Sequence, residues 1–148
     1  MKHPRSPRRL VALLAAALLT ACASARPATY LSTTSGPPRP FSPAVSVNGF
    51  IYLSGQVGTD STGTLVRGGI QAETRQVMEN IRGVLARTGS SFDRVVKCTV
   101  FMADMREWGA MNAVYVTYFT PGKLPARSAL GANGLAFDAK VEIECFAH

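Results

Sequence analysis

The chain has 148 residues, 47% of them hydrophobic, a length and composition that fit one globular domain and exclude a disordered chain. Its formal net charge of +7 is misleading, because Lys2, Arg5, Arg8 and Arg9 all precede the first acid. Removing those four from the 16 basic residues leaves 12 against 9 acids, a surplus too small, and too little interleaved with aromatics, to point to nucleic acid.

The basic start leads into an apolar run, Leu10 to Leu19, followed by Thr20-Ala21-Cys22. That run is shorter than the roughly 20 residues that span a bilayer and fits the core of a secretory signal. Leu19-Thr20-Ala21-Cys22 also reads as a bacterial lipobox, which would make Cys22 an acylated N-terminus. The expectation is a lipoprotein-type signal peptide over 1–21, a Pro/Ser-rich linker over 22–39 and a folded domain over 40–148. The protein would then be exported and touch the membrane only through its lipid anchor, on the periplasmic or cell-envelope face.

Asn48-Gly49 between Ala44–Val47 and Phe50–Ser54 predicts a β-hairpin, since both turn positions favour positive φ. Glycines 55, 58 and 63 mark a loop with a turn at Asp60–Gly63. From Gly69 to Thr88, Ile70, Val77, Met78, Ile81, Val84 and Leu85 recur at three- and four-residue intervals and predict a helix stopped by Gly89. Arg94 to Ala103 reads as a strand with Val96, Cys98, Val100 and Met102 on one face.

Asp104 with Glu107 predicts a capping box for a second helix running to about Phe119. Trp108, Met111, Asn112, Tyr115, Tyr118 and Phe119 form its inner stripe. Asn112 is the one amide among them and needs partners if buried, either a loop backbone or a pocket. Thr120 to Pro125 breaks the helix. A short strand from Arg127, a Gly131–Gly134 turn and a final strand follow, with Val141, Ile143 and Cys145 facing one way and Glu142 and Glu144 the other.

These elements predict an α+β sandwich with a mixed sheet and both helices on one face. The outer face would carry Tyr52, Ser54, Thr99, Phe101, Glu142 and Glu144, a mixture suited to a wet subunit interface. Cys98 and Cys145 read first as two buried free thiols, because a disulfide cannot be judged without a Cα distance. With His3 in the signal and His148 at the end, no interior histidine remains for a Ser-His-Asp or Cys-His centre, and no metal site is expected.

Arg127 follows a proline turn, and its planar fork can hold a carboxylate with two parallel hydrogen bonds. On bare chemistry it reads first as a surface or interface ion pair, and Glu142 as part of a solvated strand face. The two are expected on one half-polar sheet face with Ser54. Ser54-Gly55, at a strand end, offers a hydroxyl and a backbone N–H to an anion.

Several blocks, in this order, resemble the RidA/YjgF family of reactive-intermediate (enamine/imine) deaminases. They are Arg39-Pro40-Phe41-Ser42-Pro43-Ala44, Tyr52-Leu53-Ser54-Gly55-Gln56, Thr74 to Ile81, Val95 to Phe101, Asn112-Ala113-Val114-Tyr115, Pro125-Ala126-Arg127-Ser128 and Val141-Glu142-Ile143-Glu144. The resemblance implies a chorismate-mutase-like fold and a homotrimer with clefts between subunits. It also implies cofactor-free hydrolysis of 2-imino acids and enamines, such as 2-aminoacrylate, to 2-oxo acids and ammonia.

On that resemblance Arg127 grips the substrate carboxylate and Glu142 positions the attacking water. Phe41, Ser54, Gly55 and Asn112 line the cleft, and the backbone at Ala129 helps hold the water. The family commonly has tyrosine where this chain has Phe41. The alternative is a non-catalytic module of the cell envelope that binds a small carboxylate in the same cleft.

Overall fold

The computed structural model describes residues 27–34 and 39–148. The signal segment and Cys22 lie outside the described residues. The strands are β1 (Thr29–Tyr30), β2 (Ala44–Val47), β3 (Phe50–Leu53), β4 (Gln56–Val57), β5 (Val95–Met102), β6 (Ala126–Gly131) and β7 (Val141–Ala147). The helices are α1 (Gly69–Arg87) and α2 (Trp108–Tyr115).

The strands form one mixed sheet in the order β1-β2-β3-β7-β5-β6, with β4 also pairing β7. All pairs are antiparallel except β5 and β6. A parallel pair needs a crossover, and α2 lies in the one joining β5 to β6. The two helices pack against each other and share a single core with the sheet, so they lie on one face. Val77, Met78, Ile81 and Leu85 of α1 meet Leu53, Val100, Val141 and Ile143 of the sheet there. Each such side chain contributes about 1.5–3 kcal/mol by leaving water, so truncating fully buried Ile81 to alanine would cost about 2–5 kcal/mol.

The hairpin turn is as its sequence demands, with Asn48 at φ 51° and Gly49 at φ 83°. Gly89, at φ 74°, supplies the left-handed residue after α1. Four expectations change. Val96 does not point inward but is 41% exposed, because the pairing of β5 with β7 skips a residue between Val95 and Lys97. That bulge gives Val95 the inward place and breaks the alternation.

The Pro/Ser-rich stretch is not wholly a free linker. Thr29 and Tyr30 pair with Ser46 and Val45, and Leu31 packs on the core. The capping box is not formed: the Asp104 carboxylate accepts from the Arg106 N–H, while Glu107 pairs with the Lys140 ammonium at 2.9 Å. A 3-10 turn, Met105–Glu107, therefore precedes a shorter α2, and a second one, Val116–Tyr118, follows it.

Finally, Cys98 and Cys145 are not free thiols but a disulfide. They face each other directly across β5 and β7 with Cα atoms 4.1 Å apart, close to the spacing of a non-hydrogen-bonded antiparallel pair. Both are fully buried.

Candidate functional site

The residues singled out in the sequence fall into two groups at separate places. The first is built on β6 and α2. In the β5–β6 register Arg127 lies opposite Cys98 and Ala129 opposite Val100. Residues paired across a sheet point to the same side, so Arg127 and Ala129 share the helix face with the buried Cys98 and Val100.

On α2, Trp108, Asn112 and Tyr115 are spaced by four and three residues, which places them along one face. That face meets the arginine. The Arg127 guanidinium donates from Nη1 to Asn112 Oδ1 at 2.8 Å. Its Cζ lies 4.7 Å from the Tyr115 ring centroid and 5.4 Å from that of Trp108. Asn112 thus answers to a cation, not to a loop backbone.

Among the described residues no carboxylate pairs with Arg127. The groups that hold its charge are neutral: the Asn112 amide oxygen and the faces of two rings. Tyr115 is buried and its hydroxyl has no hydrogen-bond partner among the described residues. Burial pushes that phenol up to about 12, against the opposing pull of Arg127.

The second group is built on β7 and the segment after β3. Val141, Ile143, Cys145 and Ala147 are buried, which puts Glu142, Glu144 and Phe146 half-buried on the opposite face. Glu142 lies between Phe101 of β5 and Val57 of β4. Its carboxylate occupies the space over Gly55: a Cβ added there would come within 1.9 Å of Glu142 Oε1. Burial, and then the neighbouring Glu144 charge, raise the Glu142 carboxyl above its ordinary value.

Beside it opens a cavity of about 630 Å³ lined by Arg39, Phe41, Gln56, Val57, Phe137 and Glu142 among others. The Ser54 hydroxyl does not point into this space. It donates to the Ser42 carbonyl at 2.7 Å, while the Ser54 N–H donates to the Pro43 carbonyl, so Ser54 fixes the segment that carries Phe41.

The expected single face for Arg127, Ser54 and Glu142 is therefore not formed within one chain. Arg127 is level with Cys98 and Cys145, whereas Glu142 is three residues further along β7, two strands away and on the other face. Strand geometry puts their Cα atoms about 14 Å apart. The face of β6 is decided by its register with β5, which no local pattern in Ala126–Gly131 reveals.

Three side chains at these places carry no clear signal in the sequence. Trp108 sits on the inner stripe of the predicted helix yet is 38% exposed beside Arg127. Arg39 has no signal of its own beyond its block. Nothing in Leu135-Ala136-Phe137-Asp138 signals the positive φ of 62° and 56° at Phe137 and Asp138.

Comparison with known proteins agrees with this architecture. Residues 33–148 match the family described as Endoribonuclease L-PSP. The mouse 2-iminobutanoate/2-iminopropanoate deaminase is 46% identical over 120 residues, covering 79% of this chain and 88% of the mouse protein. The crystal structure of yeast Mmf1 superposes with a TM-score of 0.76 at 36% identity, covering 82% of this chain and 98% of the yeast one. Escherichia coli TdcF, solved with bound serine, gives a TM-score of 0.73 at 27% identity over 80% of this chain and 97% of its own. By the span of the family match, the identity to these relatives and the shared sheet-and-helix architecture, the chain belongs to the RidA/YjgF family.

Proposed function

We propose that this protein hydrolyses 2-imino acids and their enamine tautomers to 2-oxo acids and ammonia, at a centre assembled from two copies of the chain. One copy contributes Arg127 with Asn112 and Ala129. The next contributes Glu142 with Phe41 and Gly55. The observation that carries this reading is the state of Arg127: a half-buried guanidinium held by an amide oxygen and two rings, without an acid partner among the described residues.

The chemistry asks little more of the protein. The carbon of a protonated imine is already electrophilic, so the task is to orient the carboxylate and place one water. Arg127 holds the carboxylate. Water adds to C2 of the imine while Glu142 takes its proton, giving a carbinolamine. Glu142 returns that proton to nitrogen and then accepts the hydroxyl proton as the C–N bond breaks and the carbonyl forms; ammonia leaves and carries that proton away as ammonium, which frees the carboxylate. Burial, and then the Glu144 charge, raise the Glu142 carboxyl, which makes it a stronger base toward the water than an exposed glutamate.

The mouse relative's name specifies this class of substrate, and its identity to this chain supports the reaction. The assembly is best supported by the separation of Arg127 from Glu142 within one chain, and by the outer sheet face, where Tyr52 and Leu130 are exposed and Phe101 and Phe146 half-buried. A closed ring of three copies would cover that face and repeat the same head-to-tail contact.

Mixing two inactive variants tests reaction and assembly together. With 2-aminoacrylate generated in the cuvette, Arg127→Ala and Glu142→Ala should each fall to the buffer rate. After joint refolding they should recover about a quarter of wild-type activity, the share of head-to-tail interfaces that pair two intact halves. No recovery would mean that each site lies within one copy. Wild-type turnover no faster than buffer, with a 2-oxo acid still bound, would instead favour the carboxylate-binding module.

We further propose that residues 1–21 are removed and Cys22 is acylated, so that the domain is exported and anchored. The expectation rests on the lipobox sequence and is supported by a disulfide suited to an oxidising compartment. Mass spectrometry of the N-terminal peptide should find diacylglyceryl Cys22; an unmodified Met1 peptide would end the proposal.

A further inference from the structure

We infer that the cavity beside Glu142 is a side-chain pocket for 2-imino acids bearing large apolar, preferentially aromatic, side chains, with Phe41 and Phe137 as its specificity-determining walls. The inference rests on the reading that Glu142 serves the imine carbon. It begins with size. In one chain the cavity measures about 630 Å³, within the roughly 300–1,000 Å³ of pockets that enclose drug-sized ligands, and the copy that brings Arg127 forms its remaining wall.

The chemistry of the walls points the same way. Phe41 and Phe137 are 49% and 69% exposed in the single chain, large apolar surfaces that its own fold leaves uncovered beside Val57 and Ala136. Among the described residues Glu142 is the one acid lining the space, so an acidic side chain would meet a like charge there. Arg39 is the one cation among them, and its guanidinium lies 5.9 Å from the centroid of the Phe41 ring, where the π face holds it.

Phe137 is held in place by its surroundings. It and Asp138 both have positive φ, a costly backbone state for a bulky residue, which persists only where neighbouring structure over-determines it. Here that structure is evident. Asp138 and Ala139 donate back to Leu135 and Ala136, and Ala139 is buried. The Lys140 N–H then donates to the buried Glu73 carboxylate at 2.7 Å. The strained turn carries the ring to the cavity beside Glu142 instead of letting it fold onto the core.

The test uses the full protein and imines released in place by a broad amino-acid oxidase from alanine, leucine, phenylalanine and glutamate. Turnover of the phenylalanine-derived imine should exceed that of the alanine-derived one by about 10-fold or more in kcat/KM. Phe137→Ala should collapse most of that ratio, and Phe137→Leu should restore it for the leucine-derived imine. Binding of the unreactive 2-oxo acids is measured in parallel by calorimetry, where phenylpyruvate should bind about 10-fold more tightly than pyruvate.

Equal or better turnover of the alanine-derived imine would overturn the pocket. So would preference for the glutamate-derived imine, which would make Arg39 the determinant. A Phe137→Ala variant that slows all imines equally and changes oligomeric state would reassign the ring to a subunit contact. If no imine is turned over, the deaminase reading fails by itself, and the ratio of the two 2-oxo acid affinities still decides the pocket.

Discussion

Glu142 lies against the bare backbone of Gly55, in space that a methyl group would take: a Cβ there would stand 1.9 Å from Oε1 and 2.8 Å from Cδ of the carboxylate. Gly55 is therefore required by the acid it supports. Gly55→Ala should displace the carboxylate by about an ångström and lower kcat/KM by roughly 100-fold. Far-UV circular dichroism and oligomeric state should stay as in the wild type. An alanine variant with near-normal rate would show that the carboxylate moves freely and that its observed position is not the working one.

Asn112 reaches Arg127 as a neutral acceptor, and the neutrality matters as much as the bond. Asn112→Ala should loosen the guanidinium and raise KM by about 10-fold, the range for a hydrogen bond to a charged group. Asn112→Asp should be worse than alanine, because a carboxylate at that place would occupy the fork meant for the substrate. Steady-state kinetics of the three proteins should rank wild type, alanine, aspartate. An aspartate variant equal to wild type would sink the view that Arg127 is kept unpaired for an anion.

The raised Glu142 carboxyl fixes the sign of two pH effects. As the base it must be ionised, so the acid limb of kcat/KM should lie above the usual glutamate range near about 4.3. Glu144→Gln should move that limb down only partly, since burial is the larger cause. For stability, a carboxyl raised by folding contributes favourably below its unfolded pKa, and that contribution is lost as pH rises through its folded value. Glu142→Gln should therefore melt higher than wild type at neutral pH, with the gap closing in acid. Thermal melts across pH decide it; a glutamine variant that melts lower at pH 7 contradicts the sign.

The Cys98–Cys145 bond closes a loop with a sequence separation of 47. In the chain-entropy description that constraint stabilises the fold by about 4 kcal/mol. Cys98→Ala/Cys145→Ala should lower Tm by about 10 °C or more, with the alanine cavities adding to the loss. Differential scanning calorimetry of the double variant, beside a thiol titration of the unfolded wild type, measures both bond and consequence. One free thiol pair per unreduced chain would count against it.

Much of the fold was legible because it is written in short-range patterns. Asn48-Gly49 sets its own turn, the α1 stripe repeats with helical spacing, and the alternation of Val141, Ile143 and Cys145 assigns β7 one face. The misses share a cause. Val96 turned outward at a bulge that exists only in the pairing with β7, and Gln56–Val57 became a strand only because β7 extends past β3. Arg127 kept its neighbours hidden for the same reason, since its face follows from Cys98, almost thirty residues earlier in the chain. Phe137 was invisible because its backbone is strained, and strain is imposed by surroundings such as Glu73, not by the residue itself. The candidate site was thus readable as a set of residues but not as a place.

The burial of the Cys98–Cys145 bond has a last consequence. Both sulfur-bearing residues are closed off by helices and strands, so neither glutathione nor an oxidoreductase reaches them without the domain opening. Their oxidation state is settled while the chain folds and is then retained. A molecule made in a reducing milieu and moved later would keep its thiols, and one folded under oxidation would keep its bond. The centre of the sheet is a chemical record of the compartment in which each copy matured.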